Sequence, residues 1–165
     1  MDALECIKGR RSVRDYTEQD LDKDAIKLIV DAGIWAPSGK NGQPWRFKIV
    51  TDKEDIKALS DLSVYGSWMR KAPCFIVIFL DKLHSYNYIK DVQSCGAVMQ
   101  NMMLAAHAVG IGSCWIGEIL PKAEEVKQIL EIKNCNMELI GIITLGYAKS
   151  APINVGRKNE EYFLL

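Results

Sequence analysis

The stretch from Ile89 to Val109 constrains the fold more than any other part of this chain. It reads as the longest helix, apolar on more than one side and closed by Gly110. A helix with two apolar faces needs two packing partners, and a chain of 165 residues is one domain by length, spanning 1–165. A second subunit is a candidate for one of those partners. Gln93, Gln100, Asn101 and His107 interrupt the apolar region from Val92 to Ile119, so it does not read as a membrane span.

The remaining elements follow from local signals. A short helix over Asp2 to Lys8 ends at Gly9. A second begins around Leu21 with Asp22 as N-cap, buries Ile26, Ile29, Val30 and Gly33, and is stopped by Pro37. Arg46 to Val50 alternates as a half-buried strand does, and Asp52 caps a helix from Lys53 to about Leu62. Cys74 to Leu80 is continuously apolar, the pattern of a central strand covered on both faces. Pro121 fits the first turn of a helix reaching about Ile132, and Met137 to Tyr147 supplies the last long strand. The tail is irregular from Ser150 to its apolar end, Tyr162-Phe163-Leu164-Leu165. The fold class is α+β, a short mixed central sheet flanked by helices.

Lys+Arg and Asp+Glu are both 21, so no global field recruits nucleic acid or a membrane surface, and any anion site must be local. Five scattered cysteines without a CxxC pair, and an N-terminus without a signal sequence, suit a cytoplasmic protein. His84 and His107 have no ligand partners at metal-binding spacing, and no metal site is expected. There is no GxGxxG opening a helix and no P-loop.

Four segments carry chemistry. Arg10-Arg11-Ser12-Val13-Arg14 concentrates forked cations and a hydroxyl, which suits a phosphate monoester, although a basic turn after a helix is also a common solvated surface. If the segment is extended, Arg11 points away from Arg10 and Ser12. Pro37 to Trp45 presents amides, a hydroxyl and backbone N–H groups that suit a flat heterocycle; as a plain connection its Gly and Pro residues set turns. Gly110 to Gly117 reads as a turn and a short buried strand. Arg157-Lys158 returns basic charge near the C-terminus, either as part of a site or as a charged tail.

These segments, in this order, resemble the nitroreductase family of FMN-dependent oxidoreductases along nearly the whole chain. The resemblance implies a nitroreductase-like fold with the long helix at a homodimer interface. Arg10, Arg11, Ser12, Arg14 and Arg157 would hold the FMN phosphate and ribityl chain. Pro37, Ser38 and Asn41 would contact the flavin across the dimer, with Gln43-Pro44-Trp45 shaping the way into the next strand. Backbone N–H groups at Ile116 and Gly117 would face the flavin N5–O4 edge. The implied activity is that of a flavoprotein oxidoreductase in which NADH or NADPH, bound transiently, reduces the flavin. A small electron-poor acceptor, such as a nitroaromatic or quinone, then takes the electrons in a ping-pong sequence, with no obligatory catalytic side chain. Two other readings stay open: a flavin-binding storage or sensing protein, and a fold relative with other flavin chemistry, such as reductive dehalogenation or flavin fragmentation. Tyr65, Trp68, Tyr86 and Tyr88 are candidates for lining the open flavin face.

Overall fold

The computed structural model describes residues 2–154 and 156–164; Met1, Val155 and Leu165, the last residue of the expected apolar end, lie outside the described residues. Short polar side chains start four of the helices. Asp2 caps α1 (Ala3–Gly9) through a reciprocal box with Glu5, and Asp22 caps α2 (Lys23–Ile34). Asp52 caps α3 (Lys53–Asp61), and Asn87 caps α5 (Tyr88–Ala108). A four-residue helix, α4 (Gly66–Met69), is too short to leave a periodic signal in the sequence.

The strands β1 (Trp45–Val50), β2 (Cys74–Asp81), β3 (Gly112–Ile116) and β4 (Met137–Gly146) form one sheet in the order β1-β2-β4-β3. Every adjacent pair is antiparallel. The expected mixed character reduces to a single parallel bridge, Ser12 to Ser113, outside the strands proper.

Helices cover both faces of this sheet. Ile76, Ile78 and Leu80 pack toward Ile26 and Ile29 of α2 and toward Val98, Met99 and Met102 of α5. Phe75, Val77 and Phe79 pack on the other face with Ile56 and Leu59 of α3 and with Val126 of α6 (Ala123–Ile129). All eight residues of β2 are therefore buried, which accounts for its unbroken apolar run. Gly33 of α2 lies so close to Met102 that a Cβ there would sit 2.5 Å from the methionine methyl, so this glycine sets the α2–α5 approach.

Two helix ends share one geometry. Gly110, at φ 79°, closes α5 with Ile111 N–H bonded to the Ala106 carbonyl at 2.8 Å. Glu131, at φ 56°, closes α6 with Ile132 N–H bonded to the Lys127 carbonyl at 2.9 Å. The second helix thus stops at Ile129 rather than Ile132, and Pro121 lies in a 3₁₀ turn ahead of it. Among the described residues, no helix is long and apolar enough to cross a membrane.

Candidate functional site

The arginine segment is set by its flanks. The Arg10 N–H closes α1 on the Cys6 carbonyl at 3.0 Å, and the Val13 N–H then bonds the Ser113 carbonyl at 2.9 Å. The extended chain buries Val13 in the core, while Ser12 and Arg14 gather with Arg10 around the Cys114 thiol. Burial raises the pKa of that thiol, against the opposing pull of Arg14, the Ser12 hydroxyl and Arg10. Arg10 is half-buried, and its Nε is buried without a hydrogen-bond partner, as is Ser113 Oγ on β3. Burial, Arg157 and Arg11, in that order, lower the pKa of the Arg10 guanidinium. Two neighbouring cations and two orphaned donors are costly in a bare protein and become favourable around a bound anion.

The Arg11 guanidinium bonds elsewhere. Its Nε and Nη2 bond Asn154 Oδ1 at 2.9 and 2.7 Å, and its Nη1 bonds the carbonyls of Lys8 and Arg10 at 2.6 and 2.8 Å. The guanidinium clasps the start of the C-terminal tail, the same tail that brings Arg157 within electrostatic reach of Arg10.

Residues 116 and 117 lie along β3 from this cluster. Ser113 turns its carbonyl outward to Val13, so the alternation of an extended chain turns the amide of Trp115 toward the open sheet edge. The same alternation turns Ile116 toward β4. Gly117 follows β3 directly, four residues on from Ser113. Beside it, the Ser63 hydroxyl donates to Glu118 Oε2 at 2.6 Å, bringing the turn before α4 against the end of β3. Tyr65 and Trp68, with ring centroids 6.0 Å apart, belong to that turn and to α4. The sequence held no signal for this contact between residues fifty-five positions apart.

The Pro37–Trp45 loop is held in an unusual conformation. Lys40, Asn41 and Gln43 all have left-handed φ, at 55°, 54° and 47°. Ser38 Oγ accepts the Gln43 N–H at 3.1 Å, and the Gln43 side chain returns to the Asn41 carbonyl. Pro37 and Asn41 are exposed and Ser38 is half-exposed, whereas Pro44 and Trp45 are buried where β1 begins. Tyr86 packs under the loop at Gly39, and Tyr88 instead bonds Glu138 at 2.7 Å.

The loop and the arginine cluster do not meet within one chain. The loop packs at the start of α5, beside Tyr86. The cluster packs at its other end, where Cys6 Sγ donates to the Leu104 carbonyl and Gly9 touches His107. The 21 residues of α5 put these ends about 30 Å apart. Among the described residues there is also no group of three or more His, Cys, Asp or Glu side chains able to hold a metal.

The family model for the nitroreductase family matches residues 7–64 and 61–147. An Archaeoglobus fulgidus protein, provisionally named an NADH dehydrogenase/NAD(P)H nitroreductase, is 36% identical over 151 residues, covering 90% of this chain and 86% of its own. The Bacillus subtilis FMN reductase [NAD(P)H] is 26% identical over 160 residues, covering 86% of this chain and 64% of its own. A crystal structure of a provisionally assigned nitroreductase from Desulfovibrio desulfuricans, in complex with FMN, superposes with a TM-score of 0.94. It is 36% identical and covers 100% of this chain and 96% of that one.

Proposed function

The chain belongs to the nitroreductase family, and on that premise we propose that it is a cytoplasmic, homodimeric, single-domain FMN-dependent oxidoreductase. It takes hydride from NADH or NADPH and reduces small electron-poor acceptors, nitroaromatics and quinones among them. The observation that carries this reading is the pair of buried donors without partners, Arg10 Nε and Ser113 Oγ, in a nest of arginines. That donor set fits the phosphate of FMN. When bound, FMN supplies the hydride-accepting centre that connects the nicotinamide donor to the acceptor.

The chain's own residues bind and orient. Arg10, Arg14 and Arg157 neutralise the phosphate and Ser12 donates its hydroxyl, while Arg11 holds the tail that carries Arg157 into place. The Gly117 amide, just past the end of β3, faces the flavin edge, since the strand alternation turns the Ile116 amide toward β4. Pro37, Ser38 and Asn41 reach the flavin of the partner subunit, because their own chain's phosphate grip lies at the far end of α5. This arrangement makes the site complete only in the dimer. No side chain acts as an obligatory acid or base, and donor and acceptor take turns over one open face.

The test is spectroscopic and kinetic. The purified protein carries a visible flavin spectrum that NADH or NADPH bleaches without air, and double-reciprocal plots of donor against acceptor are parallel. A yellow protein inert to both nicotinamides would replace this reading with flavin storage. Intersecting lines would require a separate nicotinamide site.

A further inference from the structure

Three left-handed residues in a loop of four, none of them glycine, are a strained arrangement that persists only when the surroundings over-determine it. The surroundings here are the turn that leads into α5. Asp91 is 1% exposed, and its Oδ2 accepts the Ser85 hydroxyl at 2.7 Å, the Tyr86 N–H at 3.0 Å and the Asn87 N–H at 3.1 Å. Those bonds fix Tyr86, whose ring lies against Gly39 so closely that a Cβ there would sit 2.3 Å from both Cε1 and the hydroxyl oxygen. The backbone of Gly39 is not left-handed, so contact with Tyr86 rather than backbone strain opposes a methyl group at that position. The Lys40 ammonium stands 5.0 Å from the centroid of the same ring and that of Lys90 5.7 Å from it.

We propose that Asp91 and Tyr86 form a latch that holds residues 38–43 in their strained shape, making both positioning residues for the flavin contact across the dimer. This rests on the reading that Ser38 and Asn41 meet the partner's FMN. Neither residue needs to touch the cofactor in this scheme. Asp91 places the ring, the ring fills the space over Gly39, and the loop keeps its left-handed course through Lys40 and Asn41. The hydroxyl of Tyr86 is dispensable in this scheme and the ring is not.

The experiment uses the full-length protein as purified and reads two quantities. One is hydrogen exchange at the amides of Asn41, Gly42 and Gln43, which bond Ser38 O, Gly39 O and Ser38 Oγ. The other is the FMN dissociation constant, from flavin fluorescence on dilution. Tyr86→Ala speeds exchange at these amides and weakens FMN about tenfold, the size of one strained torsion no longer preorganised. Tyr86→Phe keeps both at wild-type values. Gly39→Ala reproduces the Tyr86→Ala effect alone but adds nothing in the Tyr86→Ala background, where the ring no longer excludes the methyl. Unchanged exchange in Tyr86→Ala overturns the latch whatever the flavin does. Faster exchange with unchanged FMN affinity leaves the latch standing and overturns the contact between loop and flavin.

Discussion

Arg10 and Arg11 are neighbours in sequence and opposites in use, and the difference is one of hydrogen-bond accounting. The Arg10 Nε is buried without a partner, whereas Arg11 spends four donor contacts on Asn154 and two carbonyls. Losing one charge-assisted contact costs about 1.5–3 kcal/mol, on the order of 10- to 100-fold in affinity. Arg10→Ala and Arg14→Ala should therefore purify folded but nearly free of flavin, and full FMN occupancy in both would reject the grip. Asp81 gives a second residue-scale expectation. Burial pushes its carboxyl up, but the His84 ring, the Leu83 amide and the charge of Arg46 outweigh burial and hold the pKa below the ordinary range. A carboxyl depressed in the folded state is stabilising above its unfolded value of about 3.9, and that stability is lost as pH falls through the folded value. Asp81→Asn should thus lower the urea midpoint at pH 7, and the gap from wild type should close on acidification below about pH 4. A gap that stays constant with pH would mean Asp81 acts through packing alone.

Elements announced by local chemistry were legible in the sequence, and those made by distant contacts were not. Asp22, Asp52 and Gly110 mark helix ends by what a single side chain, or its lack, does to the backbone, and the apolar run of β2 declares its two-sided burial. The end of α6 escaped notice because Glu131 takes the left-handed position where glycine is the usual signal. The antiparallel pairing of all four strands depends on how distant segments are brought side by side, which no single segment encodes. The arginine segment and the loop each announced their polar chemistry, but their separation along α5 did not, since it depends on which helix end each one packs against. The turn from Ser60 to Gly66 shows the same limit and can be tested. Gly66 is buried, and a Cβ there would sit 2.3 Å from the Ser60 carbonyl oxygen, a backbone atom with no freedom to move aside. Gly66→Ala should cost about 1–3 kcal/mol in urea unfolding and loosen the Ser63–Glu118 contact beside the end of β3. A loss within 0.5 kcal/mol, the ordinary range for an innocuous surface change, would show that the turn has slack.

At the scale of the molecule, the surface left exposed by one chain argues for the second. Tyr88 and Ile89 at the start of α5, Trp115 on β3, and Tyr162, Phe163 and Leu164 in the tail are all large, apolar and at least 41% exposed in the single chain. Large apolar side chains this exposed gain from being covered by a partner. The tail is anchored to its own chain as far as Asn154, through Arg11, and Arg157 still lies near its own Arg10. Beyond that point Tyr162 and Phe163 meet edge to face at 5.1 Å, with Lys158 Nζ 3.4 Å from the Tyr162 centroid. This preformed aromatic pair is 62% and 65% exposed, and a sheet edge or helix face of the partner is its natural cover. Burying such side chains is worth about 1.5–3 kcal/mol each before the entropy of ordering the tail is subtracted. On the proposed dimeric reading, deleting residues 160–165 should weaken the dimer and release FMN with it, because a site shared between chains would not survive their separation. The anchor at Asn154 and the arginine at 157 are untouched by this deletion, so any loss of flavin reports on dimerisation rather than on the phosphate grip. Equilibrium sedimentation with absorbance at the flavin band measures both at once. A truncated protein as tightly dimeric and as yellow as the full chain would show that the aromatic end faces solvent in the assembly too.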